Sequence, residues 1–218
     1  MSLMLAPFYA ILDPEQTKGR APTRVLRQLL EGGAKIMQLR VKAMAPRDYW
    51  TLAQDARAQT RAAGCQFIVN DRIDIALACD ADGVHLGQED LPLAAGRTLM
   101  GDRIIGISTH NIEQAIEAQD NGADYIGFGP MFGTTTKETG FSARGLAMLQ
   151  AIRAAVNLPI VAIGGITERN VQQVWQAGAD SAAIISDVLG EPDIIAKVTR
   201  IIALQRTDAA PTRRHEAT

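Results

Sequence analysis

Gln38, Arg40 and Lys42 follow a short apolar run, and a two-residue period sets them on one face with Leu39 and Val41 on the other. An amide, a planar guanidinium fork and an ammonium point charge are the donors expected around a diphosphate or another anion; solvated charges at a strand end are the alternative. Asn70-Asp71 closes the next apolar run, and His85-Leu86-Gly87-Gln88-Glu89-Asp90 closes the one after it, so Asp71 and Asp90 stand where adjacent loops can share an ion. Two carboxylates suit Mg2+, which fills the rest of its shell with water and substrate phosphate oxygens. Asp71 also precedes the apolar helix pattern Ile73-Ile75-Ala76-Leu77, which it could cap instead. The three histidines and two cysteines have no metal-ligand spacing.

Further along, Ser108-Thr109-His110 offers hydroxyls and an imidazole to a substrate. Nothing in the sequence supplies Ser108 with a base and an orienting acid, so it is not expected to act as a nucleophile, and His85 and His110 read as buried, hydrogen-bonded histidines. The stretch from Gly129 to Phe141 holds Thr134, Thr135, Thr136 and Lys137, an anion cradle or else a surface loop. Gly164-Gly165 and Ile185-Ser186 stand directly before polar helix starts. Glycines there admit backbone amides to a monophosphate; a tight turn is the structural alternative for the glycine pair. Two anion sites, one with Mg2+ and cations and one with neutral amides, suggest chemistry that joins two phosphorylated ligands.

These residues need strands to carry them. A helix-ending glycine followed by an apolar run recurs at Gly33, Gly64, Gly122 and Gly178, each marking a helix-to-strand junction. The spacing is that of one βα unit, and eight candidate strands begin near Phe8, Ile36, Phe67, Gly83, Ile104, Tyr125, Ile160 and Ala182. Helices fill the gaps, with Thr23, Asn111 and Thr167 as candidate caps and Pro46 in a first turn. Eight such units predict an α/β fold, a single (β/α)8 TIM barrel over residues 1–205 with a frayed tail at 206–218; a doubly wound open sheet is the rival. In a barrel the residues singled out all fall at the carboxyl ends of strands, and the last two loops form the usual phosphate site.

Composition sets the limits. At 218 residues, 47% hydrophobic and 21% charged, the chain is too apolar for disorder and long enough to bury roughly 70% of its extended surface. Twenty-two basic against 24 acidic residues give no electrostatic reason to expect nucleic acid or a polybasic membrane anchor. No stretch nears the about 18 apolar residues of a membrane span. Cys65 and Cys79 lie among small apolar residues typical of buried free thiols, so a cytoplasmic setting is expected; self-association is not specified.

Taken in order, Gln38 to Lys42, Asn70-Asp71, Gly83 to Asp90, Ser108 to His110, Thr134 to Lys137, Gly164 to Ile166 and Ile185-Ser186 resemble the signatures of the thiamine phosphate synthase (thiamine-phosphate pyrophosphorylase) family, from Tyr9 to about Ile195. The resemblance implies an enzyme that condenses 4-amino-2-methyl-5-hydroxymethylpyrimidine diphosphate with 4-methyl-5-(2-phosphooxyethyl)thiazole, or its carboxylate, to give thiamine phosphate and diphosphate. It implies that Gln38, Leu39, Arg40, Val41, Lys42, Asn70, Ser108 and Lys137 bind the pyrimidine diphosphate, with Arg40, Lys42, Ser108 and Lys137 acting in catalysis. One Mg2+ would sit on Asp71 and Asp90, and Thr134, Thr135, Thr136, Gly165, Ile185 and Ser186 would hold the thiazole phosphate. Diphosphate would depart first, and the thiazole nitrogen would capture the pyrimidine-methyl cation. Two positions depart from the family pattern: Val41, where an acidic residue is frequent, and Gly133, where proline is frequent and whose freedom should loosen the loop. A thiazole tautomerase or a non-catalytic thiazole-phosphate-binding regulator on the same barrel is the alternative, but neither needs Arg40, Lys42, Asp71 and Asp90 together.

Overall fold

A computed structural model describes residue 3 and residues 5–133 and 143–206. Short apolar runs form eight strands, β1 (Phe8–Leu12), β2 (Ile36–Leu39), β3 (Gln66–Asn70), β4 (Gly83–Leu86), β5 (Ile104–Thr109), β6 (Tyr125–Phe128), β7 (Ile160–Ile163) and β8 (Ser181–Ile184). All pair in parallel and β1 pairs with β8, with Phe8 opposite Ala182, so the sheet is a closed barrel rather than the open alternative. The helices between them are α1 (Pro22–Glu31), α2 (Pro46–Ala62), α3 (Ile73–Ala78), α4 (Leu93–Met100), α5 (Ile112–Asp120), α6 (Gly145–Ala155), α7 (Val171–Gln176), α8 (Ser186–Leu189) and α9 (Ile194–Arg206). Arg206 closes α9, and the rest of the expected tail, 207–218, lies outside the described residues.

Alternation along each strand sorts the core into two layers. Phe8, Ala10 and Leu12 of β1 face the helices and join the large outer core. Tyr9 and Ile11 face inward, where with Ile36, Ile68, Ile104, Tyr125, Val161 and Ala183 they fill the barrel. Two rings fit there only because two strand positions lack a side chain. A Cβ on Gly106 would lie 2.1 Å from Tyr125 Cζ, and one on Gly127 would lie 2.9 Å from His85 Cε1.

At the amino-terminal rim an aspartate device recurs before β4, β6 and β8. Asp82, Asp124 and Asp180, each just before an even-numbered strand, accept the backbone N–H of Phe67, Ile105 and Ile160, at the first or second position of the preceding strands. Each also takes an arginine from the helix two strands back: Arg57, Arg97 and Arg153 respectively. Asn111 caps α5 as expected by accepting from Gln114 N, and Pro46 occupies the first turn of α2. Two candidate caps are displaced. The cap position of α1 is Ala21, because Pro22 opens the helix ahead of Thr23. Thr167 instead opens a turn closed by Asn170, which accepts from Thr167 N, and α7 begins only at Val171. Cys65 and Cys79 are free and buried. Among the described residues no helix is long and apolar enough to cross a membrane.

Candidate active site

The carboxyl ends of the strands enclose a cavity of about 130 Å³. β2 delivers Gln38 and Arg40 to its wall, β3 Asn70, β4 His85, β5 Ser108, and the ends of β7 and β8 contribute Gly164, Gly165, Ile185 and Ser186. Strand alternation explains the side chains from β2 to β5: Gln38 and Arg40 share the inward face, the Arg40 N–H still bonding Leu12 O one residue past the strand end, whereas Leu39 is buried in the outer core and Val41 packs against it. The side chains of Leu39 and Val41 therefore face away from the cavity.

Lys42 departs from the expected convergence. β2 ends at Leu39, so the two-residue period no longer governs Lys42, which is not among the cavity-lining residues. Its Nζ donates to Asp71 Oδ2 at 2.5 Å on the rim. Arg40 is also paired, with Asp13, a carboxylate 1% exposed that additionally accepts the N–H of Glu15. Asp13 follows β1 directly, a strand-end carboxylate that sequence reasoning passed over. By this pairing it fixes the guanidinium while leaving other Arg40 donors for a ligand.

Asp71 does not cap α3; the cap position is Arg72, with no side-chain cap bond. Asp71 instead adopts a left-handed backbone (φ 62°), a conformation that strains most residues other than glycine and concentrates at functional positions. Asp90 folds back so that its Oδ2 accepts from Gly87 N at 2.6 Å. Burial, and next the adjacent Asp71 carboxyl, push the Asp90 pKa up, while Gly87 N–H and Lys42 pull it down. Two carboxylates that repel one another across adjacent loops are the chemistry of a divalent-cation site. Among the described residues no group of three or more His, Cys, Asp or Glu converges, so these two carboxylates would have to share the ion with other ligands.

Asn70 is 7% exposed and lines the cavity, and its Nδ2 has no hydrogen-bond partner among the described residues. A buried donor left unmet is costly, which marks it as a donor for a ligand. Ser108 does meet an imidazole: His85 Nε2 lies 2.9 Å from its Oγ. Sequence reasoning missed this pairing because the two side chains, on the adjacent strands β4 and β5, are 23 residues apart in the chain. The other ring nitrogen faces the Tyr125 hydroxyl at 3.1 Å, a neutral partner where a hydrolytic triad has a carboxylate. His110 Nδ1 donates to the Gly129 carbonyl at 2.7 Å.

The structural reading of the glycine pair finds support. Gly164 and Gly165 have φ of 101° and 64°, and a Cβ on Gly165 would meet the Gly133 carbonyl at 2.6 Å, so the turn and its packing require glycine. Both also border the cavity. The two loops are tied together: Glu168 N donates to Asp187 Oδ2 at 2.9 Å, and Lys197 Nζ on α9 bridges Asp187 (2.9 Å) and Glu168 (3.0 Å). Thr134, Thr135, Thr136 and Lys137 lie outside the described residues. Among the described residues nothing lies within 4 Å of a Cβ placed on Gly133.

A closed eight-stranded barrel with a cavity at the carboxyl ends of its strands is the architecture of a single-domain (β/α)8 enzyme. Residues 8–188 match the family model described as thiamine monophosphate synthase. The chain is 44% identical over 196 residues to the thiamine-phosphate synthase of Chloroflexus aurantiacus, covering 90% of this chain and 91% of that one. It is 47% identical over 194 residues to the thiamine-phosphate synthase of Methanoregula boonei, covering 88% and 90%. The thiamine phosphate pyrophosphorylase structure from Pyrococcus furiosus superposes with a TM-score of 0.83 at 35% identity, over 91% of this chain and 96% of that one. The chain belongs to the thiamine monophosphate synthase family.

Proposed function

We propose that this barrel makes thiamine phosphate, joining hydroxymethylpyrimidine diphosphate to the thiazole phosphate or its carboxylate and releasing diphosphate. The observation that carries the reading is the apposition of Asp71 and Asp90 beside Lys42, on the opposite side of the mouth from the tied loops after β7 and β8. A binder of one monophosphate has no task for that charged half.

In this reading Arg40, Lys42 and the unmet Asn70 amide hold the diphosphate, with Ser108 beside them, while Gly165, Ile185 and Ser186 hold the thiazole phosphate through uncharged groups. Thr134, Thr135, Thr136 and Lys137 are assigned by the family resemblance to the same two ligands. The bond between the pyrimidine methylene and the diphosphate oxygen breaks with its electron pair on the oxygen, and the thiazole nitrogen then donates its lone pair to the methylene carbon. Leu39 and Val41 contribute main chain only. No side-chain nucleophile is required, so the protein's work is orientation and charge placement.

Asp71 and Asp90 would hold one Mg2+, which when bound supplies charge neutralisation to the departing diphosphate. The fit rests on the mutual repulsion of these carboxylates, which a cation relieves. A cytoplasmic setting agrees with two buried free thiols.

The test is turnover by the purified protein with both substrates. Thiamine phosphate and diphosphate should appear in equal amounts only when Mg2+ is present. Equal yield in excess chelator would remove the metal assignment, and binding of the thiazole phosphate without turnover would favour the non-catalytic alternative.

A further inference from the structure

Five polar side chains from five strands form an unbroken line across the barrel interior. Gln38 Nε2 donates to Tyr9 OH at 3.1 Å, Tyr9 OH lies 2.8 Å from Tyr125 OH, Tyr125 OH lies 3.1 Å from His85 Nδ1, and His85 Nε2 lies 2.9 Å from Ser108 Oγ. All five border the cavity, and the space for the Tyr125 and His85 rings is left by Gly106 and Gly127.

Proton counting gives this line a direction. Each phenol has one hydrogen. With Gln38 donating into Tyr9, the Tyr9 hydrogen is the one available for the Tyr125 oxygen, and the Tyr125 hydrogen is the one available for His85 Nδ1. Nδ1 must then be bare, the imidazole neutral, and its hydrogen on Nε2, where it donates to Ser108 Oγ. A doubly protonated ring would leave Tyr125 accepting from two sides with its own hydrogen unplaced. Burial raises the pKa of both Tyr9 and Tyr125 far above the ordinary phenol range, so both keep their hydrogens.

We propose that Gln38, Tyr9, Tyr125 and His85 form a one-directional hydrogen-bond chain that fixes His85 as the neutral Nε2–H tautomer and so frees the Ser108 hydroxyl hydrogen to point into the cavity as a donor to the bound ligand. Tyr9, Tyr125 and His85 are then positioning residues acting through Ser108. That the ligand atom is a diphosphate oxygen rests on the function proposed above; the direction of the chain does not.

Nitrogen-15 NMR of the full-length protein labelled on histidine, without substrates, tests the direction. The signals lost in His85→Gln identify the ring, which should show a pyridine-like Nδ1 and a pyrrole-like Nε2. The reverse pattern, or two protonated nitrogens, would overturn the proposal. Tyr125→Phe keeps the ring and removes two links, so Nδ1 and Nε2 should move toward tautomer-averaged values. With both substrates, kcat should fall about tenfold, the effect of one well-placed hydrogen bond, while KM for the pyrimidine diphosphate stays within about twofold. In a Ser108→Ala background the same substitution should have little further effect, and an equal loss in both backgrounds would refute action through Ser108. A wild-type protein with no turnover would defeat the proposed function, leaving the histidine spectrum to decide the chain on its own.

Discussion

Asp90 stands partly out of water and against a second carboxylate, with its ionised form penalised first by burial and then by Asp71. Such a residue is easier to explain by what it binds than by what it stabilises. Asp90→Asn keeps an oxygen for the Gly87 N–H and removes the repelling charge, so its melting midpoint in metal-free buffer should equal or exceed that of the wild type while turnover falls by orders of magnitude. Calorimetry beside a product assay checks both halves; a large loss of stability with activity per folded molecule retained would mark Asp90 as structural. Mg2+ should stabilise the wild type and not the variant, by about 2.7 kcal/mol at a hundredfold excess over Kd. How much of this site the sequence revealed depended on strand geometry. Gln38 and Arg40 were legible because β2 alternates, and Lys42 was misread because the strand ends before it. The His85–Ser108 contact was hidden, since it requires side-chain-free positions on neighbouring strands that no linear spacing announces.

Among elements, the starts of β2, β3, β6 and β8 were readable because a glycine ended the preceding helix, whereas the aspartates two residues after Gly122 and Gly178 drew no assignment. Asp124 and Asp180 in fact tie pairs of strands, as does Asp82, and their burial ranks them. The Asp82 side chain is 4% exposed, against 36% for Asp124 and 46% for Asp180, so water competes least at Asp82. Replacing each by alanine should destabilise in the order Asp82 first, by about 3 kcal/mol, then Asp124 and Asp180 by about 1 kcal/mol each, measured by urea unfolding. The tie between the loops after β7 and β8 gives a pH dependence. The Arg200 hydrogen bonds to Glu168 hold its pKa below the ordinary value of 4.5, with Lys197 adding to the effect. Burial lowers the Lys197 pKa, but bonds to Asp187 and Glu168 outweigh it and leave the pKa raised. Because the folded Glu168 pKa is depressed, its stabilisation is present above 4.5 and is lost as pH falls through the lower folded value. Melting midpoints of the wild type should therefore drop more steeply below pH 4.5 than those of Glu168→Gln.

For the molecule as a whole, both thiols sit in the outer core, and burial pushes the Cys65 thiol up to about 12. Neither should react with a thiol reagent at neutral pH until the barrel opens, so labelling in rising urea should follow the global unfolding curve rather than precede it. Labelling well before the transition would show that the helical layer opens locally. The fold class was readable from eight repeats, but not the seam at which the ring shuts, and that seam has a consequence in synthesis. Phe8 waits for Ala182, 174 residues later, a delay of roughly 10–35 s at ribosomal rates. Throughout that interval the nascent first strand carries one flank of bare amides and carbonyls, the surface on which chains stick to one another. Yield in the cell is therefore expected to depend on what shields that flank before the final strand emerges.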